Sequence, residues 1–413
     1  MTRFLRTGLP VLLAGSALVL GLLAWRTGPR PAGTAAGSSS TAAPPVTVAT
    51  EATTATTATG KAPRPPATTA TRPGPRPAPA GGRGPAVRGP DRFGIAAGCC
   101  LQYLSSAELA RQLDDYRALG VRWVRFDLPW SGVQAGGRNS YNWGPPDKLV
   151  RAASGRGLKL LGMIGYTPDW ARPASCRGDD KCAPATVQDF ARFAGQAARR
   201  YGPRGLHTWE IWNEPNGSSF WKPAPDPPLY ARMLKAASRA IRQNDPDAWV
   251  VSGGMTPART DGTSYAPADF LARLYRHGAK GAFDAVGAHP YCWAGSFDCP
   301  GSYATWSAWS QMDRTRGNLR SVMVANGDGG KRIWGTEYGA PTGGGRAAVS
   351  EARQAKQVAD GYRLFGAKSW AGPLFWYSYR DACRDAGDTE CHFGLVRRDG
   401  SRKPAHAAYR RSG

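Results

Sequence analysis

The chain has 413 residues and a net charge of +24. Residues 1–90 hold ten Lys/Arg against one Glu among Pro, Ala, Thr and Gly, a composition too poor in large apolar side chains to bury a core. The other +15 is spread over the remainder as dispersed Arg, which suits anionic surfaces, while no base-reading motif accompanies it to indicate a specific nucleic-acid partner.

Arg3 and Arg6 precede a mostly apolar run from Thr7 to Trp25, which Arg26 and Arg30 follow. About 18 apolar residues with basic flanks lie between a signal peptide and a membrane anchor. Residues 1–30 are therefore expected to be one or the other, leaving an extracellular protein either secreted or tethered by residues 8–25. Residues 31–90 form an expected disordered Pro/Ala/Thr-rich linker, with threonines between Thr41 and Thr71 open to O-glycosylation. Residues 91–413 carry nearly all the aromatics and are expected to form one folded domain.

Within that domain short apolar runs alternate with amphipathic segments. The pattern predicts strands at Phe93–Ala96, Trp123–Leu128, Leu158–Ile164, Thr208–Trp212, Trp249–Ser252, Ala285–Ala288, Arg332–Thr336 and Leu374–Tyr377. Helices are predicted near Ser106–Leu119, Asp147–Ser154, Thr186–Tyr201, Leu229–Gln243, Pro267–His277, Ser307–Asn326 and Ser350–Phe365, with a short last one at Lys403–Arg410. Strands alternating with helices predict a parallel sheet covered by helices. Eight of them predict an α/β fold of the (β/α)8 TIM-barrel kind. A doubly wound open sheet is the alternative, but no Gly-rich phosphate fingerprint follows the first strand.

Six of the eight cysteines fall in close pairs: Cys176 with Cys182, Cys292 with Cys299, and Cys383 with Cys391. They read as loop-closing disulfides formed in an oxidising compartment. Cys99 and Cys100 are adjacent, and either a vicinal disulfide or pairing with another loop fits. With five His and no Cys-x-x-Cys, a zinc site is not expected.

Barrel function gathers at the C-terminal ends of strands. The fourth strand ends Glu210-Ile211-Trp212-Asn213-Glu214-Pro215-Asn216, and alternation sets Glu210, Trp212 and Glu214 on one face with Glu214 uppermost. Glu210, roughly 6–7 Å lower, reads as buried structure. The seventh strand ends Thr336-Glu337-Tyr338. Two carboxylates facing across a barrel mouth can protonate a glycosidic oxygen and attack the anomeric carbon.

Trp212-Asn213-Glu214-Pro215-Asn216 resembles the Asn-Glu-Pro signature of clan A glycoside hydrolases, which include the cellulase-like family 5 and the β-xylosidase-like family 39. The resemblance implies that Glu214 is the acid/base, that Asn213 contacts the sugar 2-hydroxyl and that Glu337 is the nucleophile. It also implies a cation, Arg125, beside the nucleophile; an ion pair between Arg125 and Glu210 is the plainer reading. Tyr291 is then a hydrogen-bond partner of Glu337, His289 a sugar or acid/base contact, and Trp376 the aromatic floor of the cleavage subsite. A disulfide between Cys292 and Cys299, beside His289 and Tyr291, would stiffen that wall of the cleft. Trp130, Tyr166, Trp170, Trp221, Trp293 and Tyr338 cluster near the expected mouth, where rings would stack on sugar faces, although half or more of them would serve in packing.

The function expected is retaining hydrolysis of an oligo- or polysaccharide by double displacement, needing no metal or organic cofactor. A barrel that binds glycan or cell wall without turnover, or a transglycosylase using the same pair, are the alternatives. The expected partners are the glycan and an anionic cell wall or membrane surface, with the protein acting as a monomer.

Overall fold

A computed structural model describes residues 89–291, 308–315, 317–345 and 347–413. The expected anchor, the linker up to residue 88 and Trp293 lie outside the described residues. Among the described residues no helix is long and apolar enough to cross a membrane.

Eight strands, β1 (Phe93–Ala96), β2 (Trp123–Pro129), β3 (Lys159–Gly165), β4 (Thr208–Asn213), β5 (Trp249–Gly254), β6 (Ala285–Ala288), β7 (Arg332–Tyr338) and β8 (Ala371–Tyr377), pair in parallel in chain order. β8 closes on β1 with Ile95 opposite Trp376, giving a closed (β/α)8 barrel. Every predicted strand is present. The last begins three residues earlier than expected, because Gly372 and Pro373 sit inside it.

Period-two alternation sorts the strand side chains into two layers. Ala96, Trp123, Leu161, Val251, Ala285, Trp334 and Phe375 fill the barrel interior. The opposite faces, with Val124, Phe126, Ile211, Val250 and Trp376 among them, pack under the helices.

The helices are α1 (Ser106–Ala118), α2 (Trp130–Val133), α3 (Gly144–Ser154), α4 (Val187–Tyr201), α5 (Pro227–Asn244), α6 (Pro267–Arg276), α7 (Ala308–Asp313), α8 (Leu319–Ala325), α9 (Glu351–Gly366) and α10 (Pro404–Ser412). Local chemistry sets their ends. Ser105 accepts from the Glu108 amide while Glu108 returns the bond to Ser105, a capping box opening α1. Asp226 caps α5 with proline in the first turn, where a missing N–H costs nothing. In α4 Phe190, Phe193, Ala194, Ala197 and Tyr201 recur at helical spacing and are all fully buried.

One helix expectation is corrected. Ser307–Asn326 is not a single helix but α7 and α8. Gly317 between them takes φ +68°, and Asn318 caps α8 by accepting from the Ser321 amide.

Cys176–Cys182 and Cys383–Cys391 are bonded as expected, and Cys99–Cys100 form a vicinal disulfide. The third expected pair differs from these: Cys292 and Cys299 both lie outside the described residues, so their disulfide remains an expectation from sequence.

Candidate active site

Arg125 points up the barrel interior from β2 and is fully buried. Its Nε donates to Glu210 Oε2 at 2.5 Å, one terminal nitrogen donates to Glu337 Oε1 at 2.6 Å and the other to Asn213 Oδ1 at 2.7 Å. Both readings of Arg125 therefore hold together: one guanidinium fork joins the internal ion pair to the strand-7 carboxylate. Glu210 is structural, its second oxygen accepting from the Gly254 amide and the Thr336 hydroxyl, each at 2.8 Å.

Glu214 stands opposite. His289, from the end of β6, sets Nδ1 2.8 Å from Glu214 Oε1 and 3.5 Å from Glu337 Oε2. The Tyr291 hydroxyl donates to Glu337 Oε2 at 3.1 Å. One ligand atom each of Glu214, His289 and Glu337 all lie within 4.8 Å of one another. The two glutamates keep 12% and 13% of their side-chain surface, so a substrate can reach both from the mouth. Gly254 makes room for this packing, since a Cβ there would stand 2.2 Å from His289 Nε2 and 2.5 Å from Thr336 Oγ1.

Simple alternation does not deliver these side chains. Trp212 has φ +72° and Glu214 φ +46°, both in the left-handed region that disfavours large side chains. The kink turns Trp212 out into the apolar layer against Phe190 and Trp221, with its Nε1 on the Phe220 carbonyl. Asn213 and Glu214 are left facing the site. The expectation that Glu210, Trp212 and Glu214 share a face is thus corrected at Trp212. On β7 a register shift between Gly335 and Tyr338 lets both Thr336 and Glu337 reach inward groups.

Five further aromatic assignments are corrected. Trp130 is fully buried among Trp170, Phe190 and Phe193, with Nε1 donating to Gln134 Oε1. Trp376 is not the floor, because it faces outward against Tyr338; its neighbour Tyr377 takes the inner face. Tyr338, on that same outer layer, gives its hydroxyl to the Gln357 carbonyl. Trp221 packs on Trp212 and Tyr230, and Trp170 donates to the Gln134 carbonyl. Tyr166 alone of the described cluster reaches the site, its hydroxyl on Asp127 Oδ2 at 3.3 Å.

Among the described residues, Asp127, Tyr377 and Glu390 also belong to the site and were not singled out from sequence. Asp127 lies two residues beyond Arg125 on the same strand face, so period-two reading could have found it. Glu390 comes from the loop closed by Cys383–Cys391 and accepts from the Tyr377 hydroxyl at 3.2 Å. No periodic signal marks it. The Cys383–Cys391 disulfide braces this side of the pocket.

The electrostatics separate these carboxyls. Burial pushes Asp127 up to about 6, although Arg125 opposes it. Burial and the charge of Glu337 carry Glu390 up to about 7. For Glu337 burial acts upward too, but His289 and Arg125 outweigh it and hold the carboxyl below its ordinary value. Burial opposes a charge on His289, yet the two glutamates beside it raise its pKa.

The family model described as Cellulase (glycosyl hydrolase family 5) matches residues 97–371, about two thirds of the chain. A β-xylosidase of Geobacillus stearothermophilus is 34% identical over 85 residues, which are 18% of this chain and 17% of that protein. Among solved structures, a family 39 glycoside hydrolase from Bacteroides cellulosilyticus superposes with TM-score 0.60 at 23% identity, covering 78% of this chain and 64% of that one. A monomeric β-xylosidase from Caulobacter crescentus gives 0.57 at 21% identity, covering 77% and 67%. A GH5_18 protein from Streptomyces cattleya, solved with GlcNAc, gives 0.57 at 17%, covering 78% and 80%. At these identities the superpositions carry the fold, and the chain spans well under two thirds of the curated β-xylosidase. The matched segment runs from the end of β1 to the start of β8 and contains Arg125, Asn213, Glu214, His289, Tyr291 and Glu337: the chain belongs to glycosyl hydrolase family 5, the cellulase family.

Proposed function

We propose that the chain is a retaining glycoside hydrolase acting on an oligo- or polysaccharide. The observation that carries the proposal is the approach of Glu214 and Glu337 to within 4.8 Å across the mouth. Carboxylate oxygens this close support the short separation of enzymes that form a glycosyl-enzyme, roughly 5–5.5 Å, over the roughly 6.5–9.5 Å that leaves room for an attacking water.

In this mechanism Glu337 attacks the anomeric carbon as Glu214 gives its proton to the leaving oxygen. Water then attacks the glycosyl-enzyme, Glu214 takes its proton, and Glu337 departs as carboxylate. The side chains support this division. Arg125, Tyr291 and the raised positive character of His289 favour the ionised form of Glu337, as a nucleophile requires. Glu214 has no arginine or lysine partner among the described residues, only His289. When Glu337 becomes esterified its charge disappears, and Glu214 can then act as base. Asn213, whose Oδ1 accepts from Arg125, would contact the sugar 2-hydroxyl, and Asp127, Tyr166, Tyr377 and Glu390 would offer further groups to the same ring.

The test is product analysis by mass spectrometry over plant, fungal and bacterial glycans, with Glu214→Gln and Glu337→Gln beside wild type. Oligosaccharide release by wild type alone supports the pair, whereas activity surviving in Glu337→Gln removes its nucleophile. Products longer than the substrate would turn the reading to transglycosylation. Export, with residues 8–25 as signal or tether, belongs to the same proposal; membrane fractionation and N-terminal sequencing of the mature chain test it.

A further inference from the structure

The outer wall of the barrel carries a second feature, built from residues that the catalytic chemistry does not use. Tyr141 and Trp143, just ahead of α3, stack at 5.4 Å with planes 9° apart. Trp143 stacks in turn on buried Phe193, at 5.6 Å and 4°, so the pair is anchored to the core. Beside it the last turn of α4 and the turn after it present Arg199, Arg200 and Arg204. Together they line an open-sided cleft of about 490 Å³.

The three arginines are not equivalent. Arg200 is committed to Asp147 and lies over the Trp143 ring, 5.4 Å from its centroid. Arg199 donates to Gln196 at 2.6 Å and Arg204 to the Arg200 carbonyl; neither forms a salt bridge among the described residues, and Asp147, paired with Arg200, is also within electrostatic reach of Arg204. Two guanidinium groups without a salt bridge of their own therefore flank an anchored aromatic pair, in a cleft of the size that small ligands fill.

We propose that this cleft is an accessory binding site for an acidic polysaccharide. Flat C–H faces of sugar rings stack on aromatic rings, and a guanidinium fork matches a carboxylate in two parallel bonds. A neutral glycan would leave Arg199 and Arg204 unused. A nucleic acid would offer bases to the rings as well, but the cleft holds one stacked pair and no run of aromatics to follow a strand. The site acts independently of cleavage and gives the positive charge of the domain a place where a chain docks while another part of it, or a neighbouring polymer, is cut.

The experiment is titration calorimetry on the full-length chain carrying Glu337→Gln, so that no ligand is consumed. Polygalacturonate oligomers are the probe, with xylo-oligosaccharides, polyphosphate and single-stranded DNA as the other arms. Arg199→Gln with Arg204→Gln, and separately Tyr141→Ala, should each weaken polygalacturonate binding about tenfold, as loss of a stacking face or of two exposed cations implies. Added salt should weaken it further. Arg232→Gln with Arg239→Gln on α5 removes the same charge elsewhere and should leave binding within about twofold. Equal loss in that control would reduce the site to general surface charge and overturn the proposal. So would equal affinity for the xylo-oligosaccharides, or binding confined to polyphosphate or DNA. Because the readout is binding, a failure of the catalytic reading leaves this result unaffected.

Discussion

Arg125→Met removes a guanidinium that is bonded to two carboxylates inside the barrel. Methionine fills much of the stem volume, so the change is chiefly electrostatic. Three hydrogen bonds of 2.5, 2.6 and 2.7 Å disappear together, and Glu210 stays fully buried without its partner. Breaking a buried pair from one side costs about 3–5 kcal/mol, a large part of the roughly 5–15 kcal/mol that holds a domain folded. The pH dependence has a definite sign. Burial raises Glu337, but His289 and Arg125 bring it below its ordinary value. A depressed carboxyl contributes stability that is present above the unfolded-state pKa of about 4.3 and is lost as pH falls through the folded value. The gap between wild type and variant should thus be fully open by about pH 7 and should narrow as pH falls below the unfolded-state value of about 4.3. Urea unfolding at several pH values measures it. A loss under about 1 kcal/mol that does not vary with pH would refute the reasoning, because the fork would then add nothing beyond what methionine packing supplies.

Glu390→Gln should stabilise the protein at pH 8 but not at about pH 4. A carboxyl raised to about 7 contributes its full stability below the unfolded-state value and loses it as pH rises through the folded one. The neutral amide escapes that loss, a gain of the order of 2–3 kcal/mol in paired denaturation curves. Tyr291→Phe deletes the 3.1 Å bond to Glu337 and should lower kcat on an aryl glycoside about 10- to 100-fold, the weight of a hydrogen bond to a charged group. Its far-UV spectrum should remain that of wild type. Trp130→Ala should cost about 3–5 kcal/mol in unfolding experiments, as a large buried side chain does, yet leave KM of the folded protein unchanged. A raised KM would restore the sugar-binding role that the packing around Trp130 denies it.

The barrel was legible because its strands and helices differ in period, and all eight strands stand where alternation sets them. The site was legible where a local motif carries it: Asn213-Glu214-Pro215 lies on β4, Glu337 on β7, and Arg125, His289 and Tyr291 converge on them. Period-two reading failed where the backbone leaves the β region. Left-handed φ at Trp212 and the shifted register before Tyr338 each change which neighbour faces inward, and nothing in those residue types announces either event. Trp376 was misplaced by one residue for a related reason: a large ring at a strand end suggests a sugar platform, while β8 pairing sets the smaller Tyr377 on that face. Glu390 was invisible because its loop is positioned by a disulfide and a tyrosine hydroxyl, contacts that leave no periodic trace.

Double displacement is the central claim, and the anomeric configuration of the first-formed product tests it most directly. Proton NMR should follow the reaction within minutes of mixing with the substrate that the glycan panel identifies. The spacing of Glu214 and Glu337 predicts a first product with the configuration of the bond that was cut, which later equilibrates by mutarotation. A first product of inverted configuration would mean that water, not Glu337, attacks the sugar, and would contradict the account.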